Sequence, residues 1–115
     1  MDVEYFTWQD FAQAARYLTY VLSSFRSHID GIYGIPRGGL VLAVALSHSL
    51  KLPLRDSVSS ATLVVDDICD TGTTLKPYTS NLTATIHYKP GARVCPTVFY
   101  AYKGEAWIVY PWEEL

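Results

Sequence analysis

The sequence predicts an α/β fold in which helices flank a mostly parallel central sheet. Three observations point there. Short β-branched and aromatic runs alternate with segments of helical period, the order expected of a parallel sheet with crossover helices. The run "ATLVVDD", residues 61–67, is continuously apolar up to its acids, as a strand covered on both faces requires. Two strands also pass through glycine-containing loops into the next segment, at "GIYGIPRGG" and "LVVDDICDTGTT". The chain has 115 residues, half of them apolar and 17% charged. That suits one domain over residues 1–115 with a single core.

The elements follow in order. Trp8, Phe11, Ala12, Ala15, Leu18, Val21, Leu22 and Phe25 fall at helical spacing. Thr7 can cap this helix, and Asp10 completes an acidic form of the capping box. The helix is expected to fade over residues 23–27. Ile29, Ile32, Tyr33 and Ile35 predict a short strand. After "RGG", the segment "LVLAVALSHSL" predicts a helix that is apolar nearly all round and therefore buried. "KLPLRDSV" predicts a second short strand with a loop, and "ATLVVDD" a third. "TGTTLKPYTSNL" predicts a helix, short or kinked, because Pro77 is tolerated only in a first turn. "TATIHY" predicts a fourth strand. "TVFYAY" and "AWIVY" predict two more, joined by the turn "KGE". The tail from about Lys89 to residue 115 is expected to form a small β-rich hood over one end of the sheet.

Composition excludes several functions. A net charge of −2 without long charge runs argues against a nucleic-acid or membrane-surface binder. Cys69 and Cys95, with no basic-then-apolar leader, fit free thiols in a reducing cytosol, so a cytoplasmic protein is expected. No apolar run reaches membrane-spanning length. His28, His48 and His87 lack metal-ligand spacing. A small chain rich in Tyr and Trp has apolar surface to cover, so a homodimer is expected.

Chemistry concentrates beyond the strand ends, where open α/β sheets bind ligands. In "DTGTT", Gly72 lets backbone N–H groups approach an anion, and Thr71, Thr73 and Thr74 add hydroxyl donors. A helix start behind them would add positive partial charge. The result is a phosphate cradle that is not a Walker loop, since no GxxxxGK[ST] pattern occurs. Asp66 and Asp67 repel phosphate, but they can accept from vicinal hydroxyls or hold Mg²⁺. Arg37 can fork onto a phosphate or pyrophosphate, with Gly38 and Gly39 freeing the backbone beside it. One ligand with a 5-phosphate, a ribose diol and a pyrophosphate is phosphoribosyl pyrophosphate.

The residues carrying that chemistry also carry a resemblance. "VVDDICDTGTTL" resembles the signature of type I phosphoribosyltransferases, and "YGIPRGGLVLAVALSHSL" resembles their pyrophosphate loop and following helix. "HYKPGARVCPTVFYAYKGEAWIVYPWEE" resembles the tail of xanthine-guanine and related 6-oxopurine members, and "FTWQDF" resembles their start. The resemblance implies a purine salvage transferase acting on guanine, xanthine or hypoxanthine with Mg²⁺. Asp66 and Asp67 would bind the ribose hydroxyls and metal, with Glu113 matching an acid that assists metal or base. Asp70 would face purine N7 as general base. Thr71, Gly72, Thr73 and Thr74 would hold the 5-phosphate, and Arg37 and Gly38 the pyrophosphate. Lys89 would donate to the 6-oxo group, Trp107 would stack on the base, and Ile108 would offer backbone contacts. Lys89 also fits an ordinary strand end, and Trp107 and Trp112 fit core or interface packing. One departure stands out. The family's long lid loop before the acidic strand shrinks here to residues 57–61. A catalytically weak or inactive nucleotide-binding module is therefore the rival reading.

Overall fold

The computed structural model describes residues 2–114; Met1 and Leu115, the ends of the predicted domain, lie outside them. In chain order come β1 (Val3–Tyr5), α1 (Trp8–Leu22), a 3₁₀ segment (Ser23–His28), β2 (Gly31–Gly34) and α2 (Gly39–Leu50). Then follow β3 (Thr62–Cys69), a 3₁₀ turn (Lys76–Tyr78), β4 (Thr83–Tyr88), β5 (Val98–Tyr102), β6 (Trp107–Val109) and a last 3₁₀ turn (Pro111–Glu113). Strands β2-β3-β4-β5 form one parallel sheet in that order, while β1 and β6 pair in parallel as a separate ribbon.

The period-3.6 stripe of α1 buries Phe11, Ala14, Leu18 and Leu22. Its start is the expected capping box: Asp10 N donates to Thr7 Oγ1 at 3.0 Å, and Thr7 N donates to Asp10 Oδ2 at 2.9 Å. Leu18 and Leu22 join Leu42 and Leu46 of α2 over Ile32, Leu63, Val65, Ala84 and Ile86. Both helices therefore cover one face of the sheet. On the other face Val64, Cys69 and Leu75 pack with Tyr33, Val58, Tyr78, Ala92 and Val94, so loops and a 3₁₀ turn do the covering. Among the described residues no helix is long and apolar enough to cross a membrane.

Five expectations need correction. Helix α2 is not buried all round, because Leu40 and Val44 remain 45% exposed. Trp8 also lies largely in solvent. Residues 51–58 form no strand but a single bridge, Leu54 to Ile32; Pro53 has no N–H with which to extend it. Residues 71–82 hold no α-helix. Lys76 N bonds Gly72 O at 3.1 Å, and then Pro77, lacking an N–H, ends the ladder in a 3₁₀ turn. The tail is not one subregion: β5 completes the central sheet, and β6 leaves it to pair with β1, a strand the sequence did not suggest.

The short connection before β3 closes at the amino ends of β2 and β3. Asp30 N donates to Ala61 O, and the Asp30 carboxylate accepts from Ser59 Oγ and Thr62 Oγ1 at 2.5 and 3.0 Å. Asn81 Nδ2 ties Ser59 O and Thr62 O together at 2.8 and 2.9 Å.

The first turn of α2 lies directly on β3. A Cβ at Gly39 would come within 2.5 Å of Val65 O and 3.0 Å of Asp66 Cα, both backbone atoms that cannot swing aside. Gly104 has open space around it. Gly39→Ala is expected to cost about 1–3 kcal/mol as an overpacking change. Gly104→Ala should stay within about 0.5 kcal/mol of wild type. Urea unfolding of the two variants measures the contrast.

Candidate active site

All strands of a parallel sheet finish at one edge, so the loops after β2, β3 and β4 converge there. Three cavities meet around the acids. The first, about 220 Å³, is lined by Asp66, Asp67, Asp70, Thr71, Gly72 and Thr74, among others. The second, about 730 Å³, is bounded by Arg37, Gly38, Asp67, Trp112 and Glu113 with Leu40 and Val41. The third, about 440 Å³, carries Asp70, Thr71, Thr73, Lys89 and Arg93 along its wall. Asp67 is common to the first and second, and Asp70 and Thr71 to the first and third.

Local sequence explains the placement. Thr62 and three apolar residues bury β3 as far as Val65, and Asp66 follows at only 8% exposure. Its Oδ1 accepts from Asp67 N at 2.9 Å. Gly38 packs so close to Asp67 that any Cβ there would collide with the carboxylate; that absence of a side chain brings the Arg37 loop against the acids. The Pro36–Arg37 peptide is cis. Gly72 adopts φ +87°, and a Cβ on it would meet Arg93 N and Val94 N at 2.8 Å. The same contact is fastened by Arg93 N donating to Thr71 O at 2.8 Å. Thr73 N donates to Thr71 Oγ1 at 3.3 Å, shaping the hydroxyl cradle. Lys89 N donates to Cys69 O at 2.9 Å, which pins the base of its loop.

Burial, and then the charge of the neighbouring Asp67, push the Asp66 carboxyl up to about 8. Burial raises Asp67 as well, with Glu113 adding to it. Among the described residues the one ion pair is Arg55–Asp30, far from these acids in the fold, and no three His, Cys, Asp or Glu side chains form a ready metal cage. The acid pair therefore lacks a protein counter-charge. Two adjacent oxygen ligands that are costly to ionise fit a divalent cation completed by ligand oxygens and water.

The remaining candidates divide. Glu113 lines the second cavity, but its Oε1 accepts from Tyr110 N at 2.8 Å, so one oxygen is committed to the last turn. Ile108 buries its side chain in the core. The alternation of the β1–β6 ladder, in which Trp107 N bonds Asp2 O and Phe6 N bonds Val109 O, leaves the N–H and C=O of Ile108 pointing away from β1. Trp107 is 56% exposed and lines none of the three cavities. Trp112 packs on Tyr110, Phe11 and Trp8 and forms a wall of the second cavity. The expected helix start behind the cradle is one turn, so its dipole is small. Arg93 stands in its place as a cation, four residues after Lys89 in "KPGAR". That spacing was visible in the sequence, but only the fold puts Arg93 beside Thr71.

Adjacent carboxylates, a Thr-Gly loop and flanking cations at the carboxyl edge of a parallel sheet define a binder of phosphorylated ribose. No family model matches the chain. It is 25% identical, over an alignment of 135 positions, to the xanthine-guanine phosphoribosyltransferase of Nitratidesulfovibrio vulgaris, covering 93% of this chain and 82% of that protein. The crystal structure of a purine phosphoribosyltransferase from Pyrococcus horikoshii superposes with a TM-score of 0.87 at 30% identity, over all of this chain and 96% of the other. The Helicobacter pylori xanthine-guanine-hypoxanthine enzyme shares the fold, with a TM-score of 0.81, 19% identity, and coverage of 97% and 94%. The chain belongs to the type I phosphoribosyltransferases, among the purine members of that family.

The raised acids have a consequence for the ligand-free protein. A carboxyl whose folded pKa lies above its unfolded value of 3.8 stabilises the fold below that value, and the contribution is lost as pH rises through about 8. His87 works in the opposite sense, since burial and then Lys103 lower it from 6.5 to about 4; its contribution is lost as pH falls between those values. From pH 7 to 9 His87 is neutral in the folded state and mostly so in the unfolded state, so it adds little to the slope. There the wild type is expected to lose about 1 kcal/mol of stability. Asp66→Asn should flatten that slope in urea unfolding, and an unchanged slope would contradict the assignment.

Proposed function

We propose that this protein transfers ribose 5-phosphate from phosphoribosyl pyrophosphate to a 6-oxopurine, releasing pyrophosphate, as a purine salvage enzyme. The single observation that supports this best is the set of three cavities meeting at Asp67, Asp70 and Thr71. Together they can hold a pyrophosphate in the second, and a 5-phosphate and a base around Thr71 and Asp70 where the first and third meet, while the ribose bridges the acids.

Roles follow from position. Thr71, Gly72, Thr73 and Thr74 receive the 5-phosphate through hydroxyls and backbone N–H groups, and Arg93 supplies the charge that the short 3₁₀ turn lacks. Asp66 and Asp67 accept from the ribose hydroxyls. Arg37 and the Gly38 backbone receive the pyrophosphate in the second cavity. In the third cavity Lys89 donates to the 6-oxo oxygen, while Asp70 accepts the N7 proton as the C1–N bond forms. Adenine, whose 6-amino group is a donor, would face Lys89 donor to donor. Ile108 reads the position-2 substituent through its backbone, and its buried side chain leaves that choice unmarked by residue type. Trp107 would stack on the base only if its exposed ring turns inward. Mg²⁺ would sit with Asp66 and Asp67, and with the free oxygen of Glu113, and would neutralise charge on the leaving pyrophosphate. Tyr20, Leu40 and Val44 leave exposed apolar surface on the two helices, and we read this as the face of a cytoplasmic homodimer; a monomer by light scattering would overturn that.

A radiolabelled-base assay with guanine, xanthine, hypoxanthine and adenine tests the proposal. Nucleotide is expected from at least one 6-oxopurine, with activity abolished by EDTA and restored by Mg²⁺. Binding of phosphoribosyl pyrophosphate without turnover on any base would favour the regulatory reading instead. Asp70→Asn is expected to lower kcat by about 100-fold or more. Lys89→Ala should raise KM for the base with little change for phosphoribosyl pyrophosphate, and Arg93→Ala should do the reverse.

A further inference from the structure

Behind the acid pair lies a polar pair that lines none of the three cavities. His87 and Tyr110 are each 2% exposed, and His87 Nδ1 and Tyr110 Oη are 2.7 Å apart. Tyr110 Oη also donates to the main-chain oxygen of Asp67 at 3.2 Å. A phenol has one hydrogen, so a donor to Asp67 O must accept from His87, which requires a hydrogen on Nδ1; in a ring that burial keeps neutral, this is the Nδ1–H tautomer. The ring is clamped as well: Tyr110 stacks on Trp112 at 4.9 Å and 5°, and Phe6 meets Tyr110 and His87 edge-on at 5.6 and 5.1 Å.

Two further observations give this pair a purpose beyond packing. The β3–β4 register is continuous from Val64 to Asp66 and resumes at Ile68, passing over Asp67. The hydroxyl therefore holds the main chain where the ladder does not. His87 also stands two residues before Lys89, and Tyr110 two residues after Ile108. The contact thus joins both base-side segments to the ribose-side acid. A Phe–Leu pair would fill the same space without burying two polar groups, which cost stability unless hydrogen-bonded.

We propose that His87 and Tyr110 are positioning residues that fix the backbone of Asp67 and so aim the acid pair at the ribose hydroxyls. This rests on the phosphoribosyltransferase reading above. The pair touches no substrate and acts only through Asp67.

Calorimetric titration of phosphoribosyl pyrophosphate with Mg²⁺ tests it, on wild type, Tyr110→Phe, His87→Leu, His87→Asn and the Phe/Leu double variant. Tyr110→Phe keeps the ring stack and removes only the hydroxyl. It is expected to weaken binding roughly tenfold, in the range of lost outer-shell contacts, with KM for the base within about twofold of wild type. His87→Leu should match it, the double variant should be no worse than either single one, and His87→Asn, which keeps a donor near Nδ1, should recover most of the loss. Wild-type affinity in Tyr110→Phe would overturn the inference while leaving the enzyme reading intact. So would a loss confined to the base KM. Additive losses in the double variant would overturn it too, by showing two independent packing effects. Absence of binding by the wild type would sink the functional reading, and this inference with it.

Discussion

The arrangement depends on the close approach of the start of α2 to the end of β3. Gly38 lies against the Asp67 carboxylate and Gly39 against the Val65 carbonyl, with no room for a Cβ at either. One contact therefore seats a helix on the sheet and sets the Arg37 loop beside the acids. Gly34 extends the same seam, since a Cβ there would meet Ala43 Cβ at 2.7 Å and Gly39 O at 2.8 Å. A side chain at this seam would push the helix off the sheet and separate the cation from the carboxylates together, so fold and site share one steric condition.

The one-sided placement of the helices carries a second dependence. With α1 and α2 on the same face, the opposite face of the sheet is covered by segments that also hold ligand groups. Leu75 follows the Thr-Gly cradle, Ala92 and Val94 flank Arg93, and all three pack with Val64 and Cys69. The 71–74 loop and the Arg93 beside it are thus anchored by apolar burial rather than left as free loops. The protein compensates in this way for a cradle backed by one turn instead of a full helix. Asp66, the buried carboxyl among the described residues, sits where a ligand can repay the cost of ionising it.

What could be read from the sequence was local. The α1 cap, the apolar run of β3, and the Asp66, Asp67, Asp70 and Gly72 spacing each occupy a few adjacent residues, and each stands where expected. The lost helix after Gly72 turned on Pro77, whose effect was foreseen in kind but not in full. Strand β1 is three exposed residues with no periodicity, and it exists only because β6 lies beside it. Assigning β5 to the central sheet needed the same long-range knowledge, because a strand's neighbour is not written in its own residues. The same limit hid Arg93 beside Thr71 and the His87–Tyr110–Asp67 contact, whose members are separated by up to 43 residues. The exposed face of α2 escaped because hydropathy reports what a residue prefers, not whether anything covers it.

The β1–β6 ribbon orders events in time. Val3 pairs with Trp107 and Tyr5 with Val109, so β1 has no partner until β6, about a hundred residues later in the chain, has been made. The part of the site carried on the loops after β2, β3 and β4 needs only strands that are neighbours in both sequence and space. It can assemble on the emerging chain as local units do. The backbone at Ile108, which we propose reads the base, cannot, because β6 has no partner until β1 lies beside it. A nascent or truncated chain would then carry the loops after β2, β3 and β4 without the Ile108 backbone beside them, and docking of the ribbon would be the late step that completes the site.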